Sequence, residues 1–222
     1  MKEETAKEEY LKSGKVPFSY AVKRGLRSLF LDPSLFIVSS LPGPLGFAVR
    51  QRLYRPFFQR MGKGVLVDPQ VRIQGFGNIV VDDFSYLGWG LELHATEGSI
   101  QIGKRCHLTG WILGHEGVSI GDYVACGGSL LSATDSHHEG HRMAGSMIPM
   151  EQRNLRRGKI VVEKDAFISR QTVIMPGVTI GEGAVVAPFS TVVGRVKPWT
   201  VVSGTPARRI GMRDEVKFPD PD

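Results

Sequence analysis

Residues 162–196 read VEKDAFISRQTVIMPGVTIGEGAVVAPFSTVVGRV, and within this stretch a β-branched aliphatic residue returns at every sixth position. The residues with this spacing are Val162, Ile168, Ile174, Ile180, Val186 and Val192. A period of six fits neither the 3.6-residue turn of an α-helix nor the two-residue alternation of one long strand. The stretch is therefore predicted to consist of many short, equivalent segments.

A second set of small or β-branched residues follows the first set by four positions. Its members are Ala166, Thr172, Val178, Ala184, Ser190 and Val196. Positions i and i+4 of a strand point to the same side, and a corner must follow each short strand. Three strands and three corners close one triangular coil, and stacked coils bury inner side chains that a single coil leaves exposed. The pattern predicts an all-β fold, a parallel β-helix.

The same period continues upstream of residue 162. Aliphatic pairs recur at 18-residue steps, at Ile100/Ile102 and Val118/Ile120 and again at Ile160/Val162 and Val178/Ile180. The only two cysteines, Cys106 and Cys126, occupy an i+4 and an i position of this pattern. Two cysteines cannot form a disulfide framework, so we predict core thiols without a redox role.

Three runs carry a resemblance to a known family: DAFIS at residues 165–169, IMPGVTIG at 174–181 and PWTVVSGTPA at 198–207. They resemble the hexapeptide-repeat acyltransferases, and above all the exopolysaccharide, maltose and galactoside O-acetyltransferases. The likeness spans about residues 44–213. It implies a left-handed parallel β-helix, a homotrimer, and an acetyl-CoA-dependent enzyme that acetylates a sugar hydroxyl of a glycan or glycan precursor.

The chain is predicted to have three parts: a basic helical N-terminal segment (1–61), the β-helix acyltransferase domain (62–205) and a C-terminal tail (206–222). Residues 132–159 interrupt the period and are expected to form one long extruded loop. The apolar spacing over 45–61, after a Pro-Gly-Pro start, predicts an amphipathic helix. This helix either caps the open first coil or docks on a membrane surface near lipid-linked sugars.

Charge is concentrated at the N-terminus. Residues 1–61 hold 11 Lys and Arg against 5 Asp and Glu, whereas the remaining residues hold 17 of each. The neutral main body argues against a nucleic-acid partner. The first ten residues lack a signal-peptide apolar region, and the chain has no long apolar span. We therefore expect a cytoplasmic protein, with peripheral contact to the inner face of the membrane through the basic helix.

The loop holds the residues expected to do the chemistry. Acyl transfer to a hydroxyl needs a base, and a histidine titrating near pH 6.5 suits that role. In the resembling enzymes the base follows an Ile-Gly-Asp at a fixed offset, which here leads from residues 120–122 to His137. Asp135 stands where that family usually has glycine, and it either orients the imidazole or caps a turn. His138 is the close competitor, and His107 or His141 would be next.

The resemblance also implies cofactor and acceptor positions. For coenzyme A these are Ser169, Ala187 and the phosphate-binding Arg208 and Arg209. His107, one coil before the loop histidines, lies outside the inward positions of the repeat and is expected to face outward. It stands where the sugar O-acetyltransferases orient the acceptor with asparagine, so it either contacts the acceptor or is a plain surface residue. No metal is required by this chemistry.

Three alternative functions are compatible with a parallel β-helix. An N-acetyltransferase acting on a nucleotide-linked amino sugar is the alternative, placed second because such relatives usually carry an N-terminal nucleotide-binding domain that the first 60 residues cannot supply. A γ-type carbonic anhydrase needs a His-x4-His zinc pair, and no two histidines here differ by five. A non-catalytic β-helix scaffold is less favoured because of the loop histidines.

Overall fold

A computed structural model describes residues 37–135 and 155–215. They form a left-handed parallel β-helix of six coils, preceded by a helix and closed by a hairpin, which confirms the predicted fold class. Each coil contributes three short strands, one to each side of a triangular prism.

The strands of the first three coils are β1 (Arg60–Met61), β2 (Leu66–Val67), β3 (Arg72–Gln74), β4 (Ile79–Val81), β5 (Tyr86–Leu87), β6 (Glu92–His94), β7 (Ile100–Ile102), β8 (His107–Leu108) and β9 (Trp111–Leu113). Those of the next three are β10 (Val118–Ile120), β11 (Ala125–Cys126), β12 (Ser129–Leu131), β15 (Ile160–Val162), β16 (Phe167–Ile168), β17 (Val173–Ile174), β18 (Thr179–Ile180), β19 (Val185–Val186) and β20 (Thr191–Val192). The remaining strands lie outside the six coils: β13 (Ala133–Asp135), β14 (Leu155–Arg157), β21 (Thr200–Gly204) and β22 (Ala207–Met212).

Three parallel sheets form the sides of the prism. Two have six strands, in the orders β1-β4-β7-β10-β15-β18 and β20-β17-β12-β9-β6-β3. The third has eight strands, in the order β2-β5-β8-β11-β16-β19-β21-β22, and is parallel except for its last pair. We call its solvent side the eight-stranded face.

The interior is filled by the residues at the i and i+4 positions of the six-residue period over 162–196. All twelve are at most 4% exposed. The polar members are compatible with this burial because they hydrogen-bond to the backbone: the Thr172 hydroxyl donates to the Ser169 carbonyl at 2.9 Å, and Ser190 Oγ accepts from the Gly204 amide at 3.0 Å. Cys106 and Cys126 are buried free thiols, as predicted.

The predicted N-terminal helix is α1, Gly43–Tyr54, which starts directly after Pro42, the first proline of the Pro-Gly-Pro run. It ends earlier than the predicted residue 61 because Pro56 has no N–H to continue the ladder, and the chain enters strand β1 instead. Arg50 on α1 is fully buried and points into the first coil, so it is not part of a basic surface. Its guanidinium donates to the carbonyls of Val67 (2.6 Å), Leu41 (2.6 Å) and Val38 (3.1 Å), which makes α1 a cap on the β-helix.

The C-terminal end differs from the predicted tail. Residues 207–212 form β22, which pairs antiparallel with β21 at the edge of the eight-stranded sheet. The tight turn at 204–206, with Gly204 at φ +99°, reverses the chain there. Sequence periodicity did not predict this strand because it runs against the coil direction.

Candidate active site

The base of the long loop is fixed by an antiparallel pair. Strands β13 and β14 place Asp135 opposite Leu155, and Ser132 at the start of the loop is buried, with its hydroxyl donating to the Leu113 carbonyl at 2.7 Å. Arg157 on β14 forms an ion pair with Glu116 at 2.5 Å. The loop therefore leaves from the prism edge between the two six-stranded sheets. The predicted bases His137 and His138, and His141, lie outside the described residues.

His107 lies on the eight-stranded face, which agrees with the expectation that it points outward. It begins β8 and is exposed. Its ring packs edge-on against Tyr86 of β5, with centroids 4.8 Å apart and an interplanar angle of 72°. Since the eight-stranded face lies opposite the edge from which the loop leaves, His107 and the base of the loop of the same chain are on different sides of the prism.

The positions expected to contact coenzyme A stack along the same sheet. Ser169 follows β16 and Ala187 follows β19, one coil apart. The backbone N–H of each residue donates to a carbonyl of the next strand: Ser169 to Val186 at 3.0 Å, and Ala187 to Val202 at 2.9 Å. These two N–H groups are therefore used inside the coil stack, and a ligand would be held at these positions by other atoms.

Arg208 and Arg209 continue this line on β22. Arg208 pairs with Ser203 and Arg209 with Val202, and both arginines are exposed. They border a cavity of about 660 Å³ at the C-terminal end of the prism. The charged residues that line this cavity are all basic: Arg195, Lys197, Arg208 and Arg209. Its floor is apolar, formed in part by Val192, Val196 and Val202, so the cavity suits a ligand that joins negative charge to a flat apolar group.

The sheet thus brings His107 and the four cofactor positions onto one side of the molecule. From β8 to β22 there are five strand steps, or about 24 Å at the usual spacing of parallel strands. These residues were predicted from the sequence, whereas three of their neighbours were not. Tyr86 packs against His107, and its hydroxyl and the Trp89 amide both donate to Asp68. The signal was available, because Tyr86 lies 21 residues before His107, one coil plus a three-residue insertion.

The other described histidines are engaged away from this face. His94 Nε2 lies 3.4 Å from Glu92 Oε2, and its ring packs edge-on against Trp111. His115 Nδ1 lies 3.4 Å from Glu97 Oε2. Within residues 37–135 and 155–215, no group of three or more His, Cys, Asp or Glu could hold a metal ion. In the same residues, no helix is long and apolar enough to cross a membrane.

The profile of the family described as "Bacterial transferase hexapeptide (six repeats)" matches residues 159–194. This match confirms the predicted resemblance to the hexapeptide-repeat transferases and the predicted acyltransferase class.

Individual relatives are distant but cover most of the chain. The dTDP-4-amino-4,6-dideoxy-D-glucose acyltransferase of Escherichia coli is 26% identical over 167 residues, which are 71% of this chain and 84% of that enzyme. A chloramphenicol acetyltransferase of Agrobacterium fabrum is 28% identical over 173 residues, 71% of this chain and 77% of that enzyme.

Solved structures give the same result. A variant of the N-acyltransferase AntD from Bacillus cereus, in complex with dTDP-4-amino-4,6-dideoxyglucose and coenzyme A, superposes with a TM-score of 0.63 at 27% identity, covering 75% of this chain and 90% of that one. A hexapeptide-repeat acetyltransferase from Vibrio cholerae superposes with a TM-score of 0.55 at 26% identity, covering 86% and 93%.

Proposed function

We propose that this protein transfers an acetyl group from acetyl-CoA to the amino group of a nucleotide-linked amino sugar. Two of the relatives that cover most of the chain support this acceptor: the E. coli enzyme by its name and the B. cereus enzyme by its bound ligands. The observation that carries the proposal is that one sheet bears His107, the predicted acceptor contact, together with the predicted cofactor positions Ser169, Ala187, Arg208 and Arg209.

The sequence alone favoured transfer to a hydroxyl, because the relatives that act on nucleotide-linked amino sugars were expected to carry an N-terminal nucleotide-binding domain. The E. coli relative is matched over 84% of its own length. The remainder is too short for such a domain, so an acceptor of this class does not require one.

The donor is held along the eight-stranded sheet. The cationic cavity suits the phosphates of coenzyme A, with Arg208 and Arg209 as charge partners and an apolar floor beneath. From there the pantetheine arm follows Ser203, Ala187 and Ser169, which stack in successive strands. This path leads the thioester toward β11, between the cofactor positions and His107.

The chemistry is direct transfer. The neutral amine attacks the thioester carbonyl, a C–N bond forms, and the tetrahedral intermediate loses a proton to a base. The C–S bond then breaks and the coenzyme A thiolate takes up a proton. We assign the base to His137, with His138 as the alternative and Asp135 as its orienting carboxylate, because a histidine accepts a proton near neutral pH.

The active form is proposed to be a homotrimer. The loop leaves from the edge between the six-stranded sheets, whereas His107 and the cofactor positions lie on the opposite side. A loop histidine can then meet the eight-stranded face most directly on a neighbouring chain. Light scattering should give about three times the 24.4 kDa chain mass.

The test is a pair of acceptors that differ in one atom. Purified protein is given acetyl-CoA with dTDP-4-amino-4,6-dideoxyglucose, or with the same nucleotide sugar carrying a hydroxyl in place of the amine. Release of the coenzyme A thiol and the mass of the product are measured. Turnover of the amine, with kcat/KM at least tenfold above that of the hydroxyl sugar, supports the proposal. Equal or greater turnover of the hydroxyl sugar overturns it.

Acetyl transfer to a hydroxyl is the second candidate. The A. fabrum chloramphenicol acetyltransferase favours it, with a match of similar extent to that of the E. coli enzyme. It needs the same base and donor site, so only the acceptor distinguishes the two. A glycan precursor with a free hydroxyl, acetylated faster than the amino sugar, would establish this second reading.

A further inference from the structure

Four side chains beside His107 form a cluster at the start of the eight-stranded face. The Asp68 carboxylate accepts a hydrogen bond from the Tyr86 hydroxyl and another from the Trp89 amide, at 2.8 Å. The Trp89 indole N–H donates to Gln70 Oε1 at 3.3 Å. His107 closes the cluster through its edge-on contact with Tyr86. We call Asp68, Gln70, Tyr86 and Trp89, with His107, the aromatic platform.

The aromatic platform is ordered yet open. Trp89 is held at its amide and at its indole nitrogen, but 68% of the residue is exposed. A large indole surface fixed by polar bonds and left uncovered is typical of a surface that binds a planar ring, because the side-chain entropy of ordering it has already been lost.

Tyr86 belongs to this surface as a binding group. Its hydrogen bond to Asp68 raises the pKa of the phenol to about 12, with burial as a smaller cause. The phenol therefore stays neutral at physiological pH, and its hydroxyl donates its proton in the hydrogen bond to Asp68. It holds the ring in place against His107 and does not serve as a base.

The position of the platform relative to the donor site is what gives it a function. The platform is carried by β2, β5 and β8 and their following corners, whereas the cofactor positions lie on β16, β19 and β22. From β5 to β16 there are three strand steps, or about 14 Å. A diphosphate and one sugar ring can bridge that span, which would bring the sugar to the thioester while the base lies at the platform.

We propose that the aromatic platform binds the base of the nucleotide-linked acceptor, with the pyrimidine ring stacked on the Trp89 indole and the sugar extended past His107 toward the thioester. This inference rests on the proposed function and adds the residues that select its acceptor. The diphosphate and sugar carry no aromatic ring, so among the parts of the acceptor the base is the one that gains most from an exposed indole.

The experiment uses the full-length protein and the Trp89→Ala and Trp89→Phe variants. Binding of dTDP is measured by titration calorimetry, and KM is measured separately for the nucleotide sugar and for acetyl-CoA. Stacking of a base on an aromatic ring predicts that Trp89→Ala raises the dTDP Kd and the acceptor KM by about 5- to 150-fold. The KM for acetyl-CoA should stay the same. In Trp89→Phe, the dTDP Kd and the acceptor KM should return most of the way to their wild-type values.

The matched control is Trp111→Ala. Trp111 is also a partly exposed tryptophan, at 43%, but it lies on a six-stranded sheet against His94. Its removal should leave the dTDP Kd and the acceptor KM unchanged. Thermal unfolding of each variant shows that the compared proteins are folded.

The outcomes separate this inference from the proposed function. If the wild type acetylates no nucleotide sugar, the proposed function fails, and dTDP titration of Trp89→Ala still decides whether the platform binds a base. If the wild type is active and Trp89→Ala binds dTDP as tightly as the wild type does, the platform inference is wrong. If Trp89→Ala binds the free amino sugar more weakly than the wild type does but binds dTDP equally well, the platform holds the sugar. That result also contradicts the inference.

Discussion

At the scale of single residues, the proposed base His137 gives the most direct test of the chemistry. His137→Ala is expected to lower kcat by about 10²–10⁴ while the Kd for acetyl-CoA stays nearly constant, because a base acts on the transition state and not on cofactor affinity. Steady-state kinetics with a separate acetyl-CoA binding titration measures both quantities.

His138→Ala is the matched control for that substitution and should cost much less activity. Asp135→Asn should be intermediate if the carboxylate orients the imidazole. If His138→Ala is inactive and His137→Ala is active, the base is His138. If both variants kept their activity, the base would lie elsewhere, with His107 and His141 next in line.

The two core thiols predict a pH dependence of stability. Burial raises the pKa of Cys106 to about 11 and that of Cys126 to about 12, from an ordinary value of about 9. Above pH 9 the unfolded chain releases these protons while the folded chain keeps them, so the free energy of unfolding should fall as pH rises from 9 to 11. Urea denaturation at several pH values measures this fall. It should be shallower in a Cys106→Ala, Cys126→Ala double variant, and an unchanged slope would contradict the assignment.

At the scale of elements, α1 is tied to the β-helix through one side chain. Arg50→Ala removes three hydrogen bonds and leaves the carbonyls of Val67, Leu41 and Val38 without that donor. We expect a loss of about 2–4 kcal/mol in the free energy of unfolding, measured by chemical denaturation. Arg52→Ala, on the exposed side of the same helix, should change stability by no more than about 0.5 kcal/mol. Equal effects of the two substitutions would mean that Arg50 does not anchor the cap.

The outer side of α1 and the turn that follows it, residues 55–57, bear on the predicted membrane contact. Leu45, Leu53 and Phe57 are 71%, 48% and 54% exposed, with Arg52 and Arg55 exposed among them. An apolar and cationic surface of this kind predicts co-sedimentation with vesicles containing anionic lipid at low salt, and loss of binding in Leu45→Ser, Phe57→Ser. If the wild type stays in the supernatant at low salt, α1 is a cap alone.

The elements also show what the sequence could and could not predict. The inward residues were predictable because stacking forces every coil to repeat the same small or branched side chains. The positions of Val162 and Ile168 therefore predict the next inward residues of the repeat. Strand β22 was not, because its single antiparallel pairing has no period. Tyr86 and Trp89 were missed because outward positions are not part of the inward repeat. Tyr86 is recognised as a neighbour of His107 only when the coil spacing, with its three-residue insertion, is applied to the outward positions as well.

At the scale of the whole molecule, the proposed binding surfaces and the proposed base lie on different sides of the prism. The eight-stranded sheet carries the aromatic platform and the predicted cofactor positions, whereas strands β13 and β14, between which the predicted base lies in sequence, follow the opposite edge. Interior packing holds these surfaces at fixed spacing, because each strand is registered on the next through parallel pairing. The proposed trimer would bring a loop to each face. The cytoplasmic location predicted from the sequence stays a prediction.

The most direct test of the shared face is a crystal structure of the protein soaked with coenzyme A. The account predicts difference density along the line from Arg208 through Ala187 to Ser169, with the phosphates in the cationic cavity and the thiol directed toward β11. Density for coenzyme A along the opposite corner of the eight-stranded sheet, which carries Phe84 and Trp199, would contradict the placement of donor and acceptor on one face.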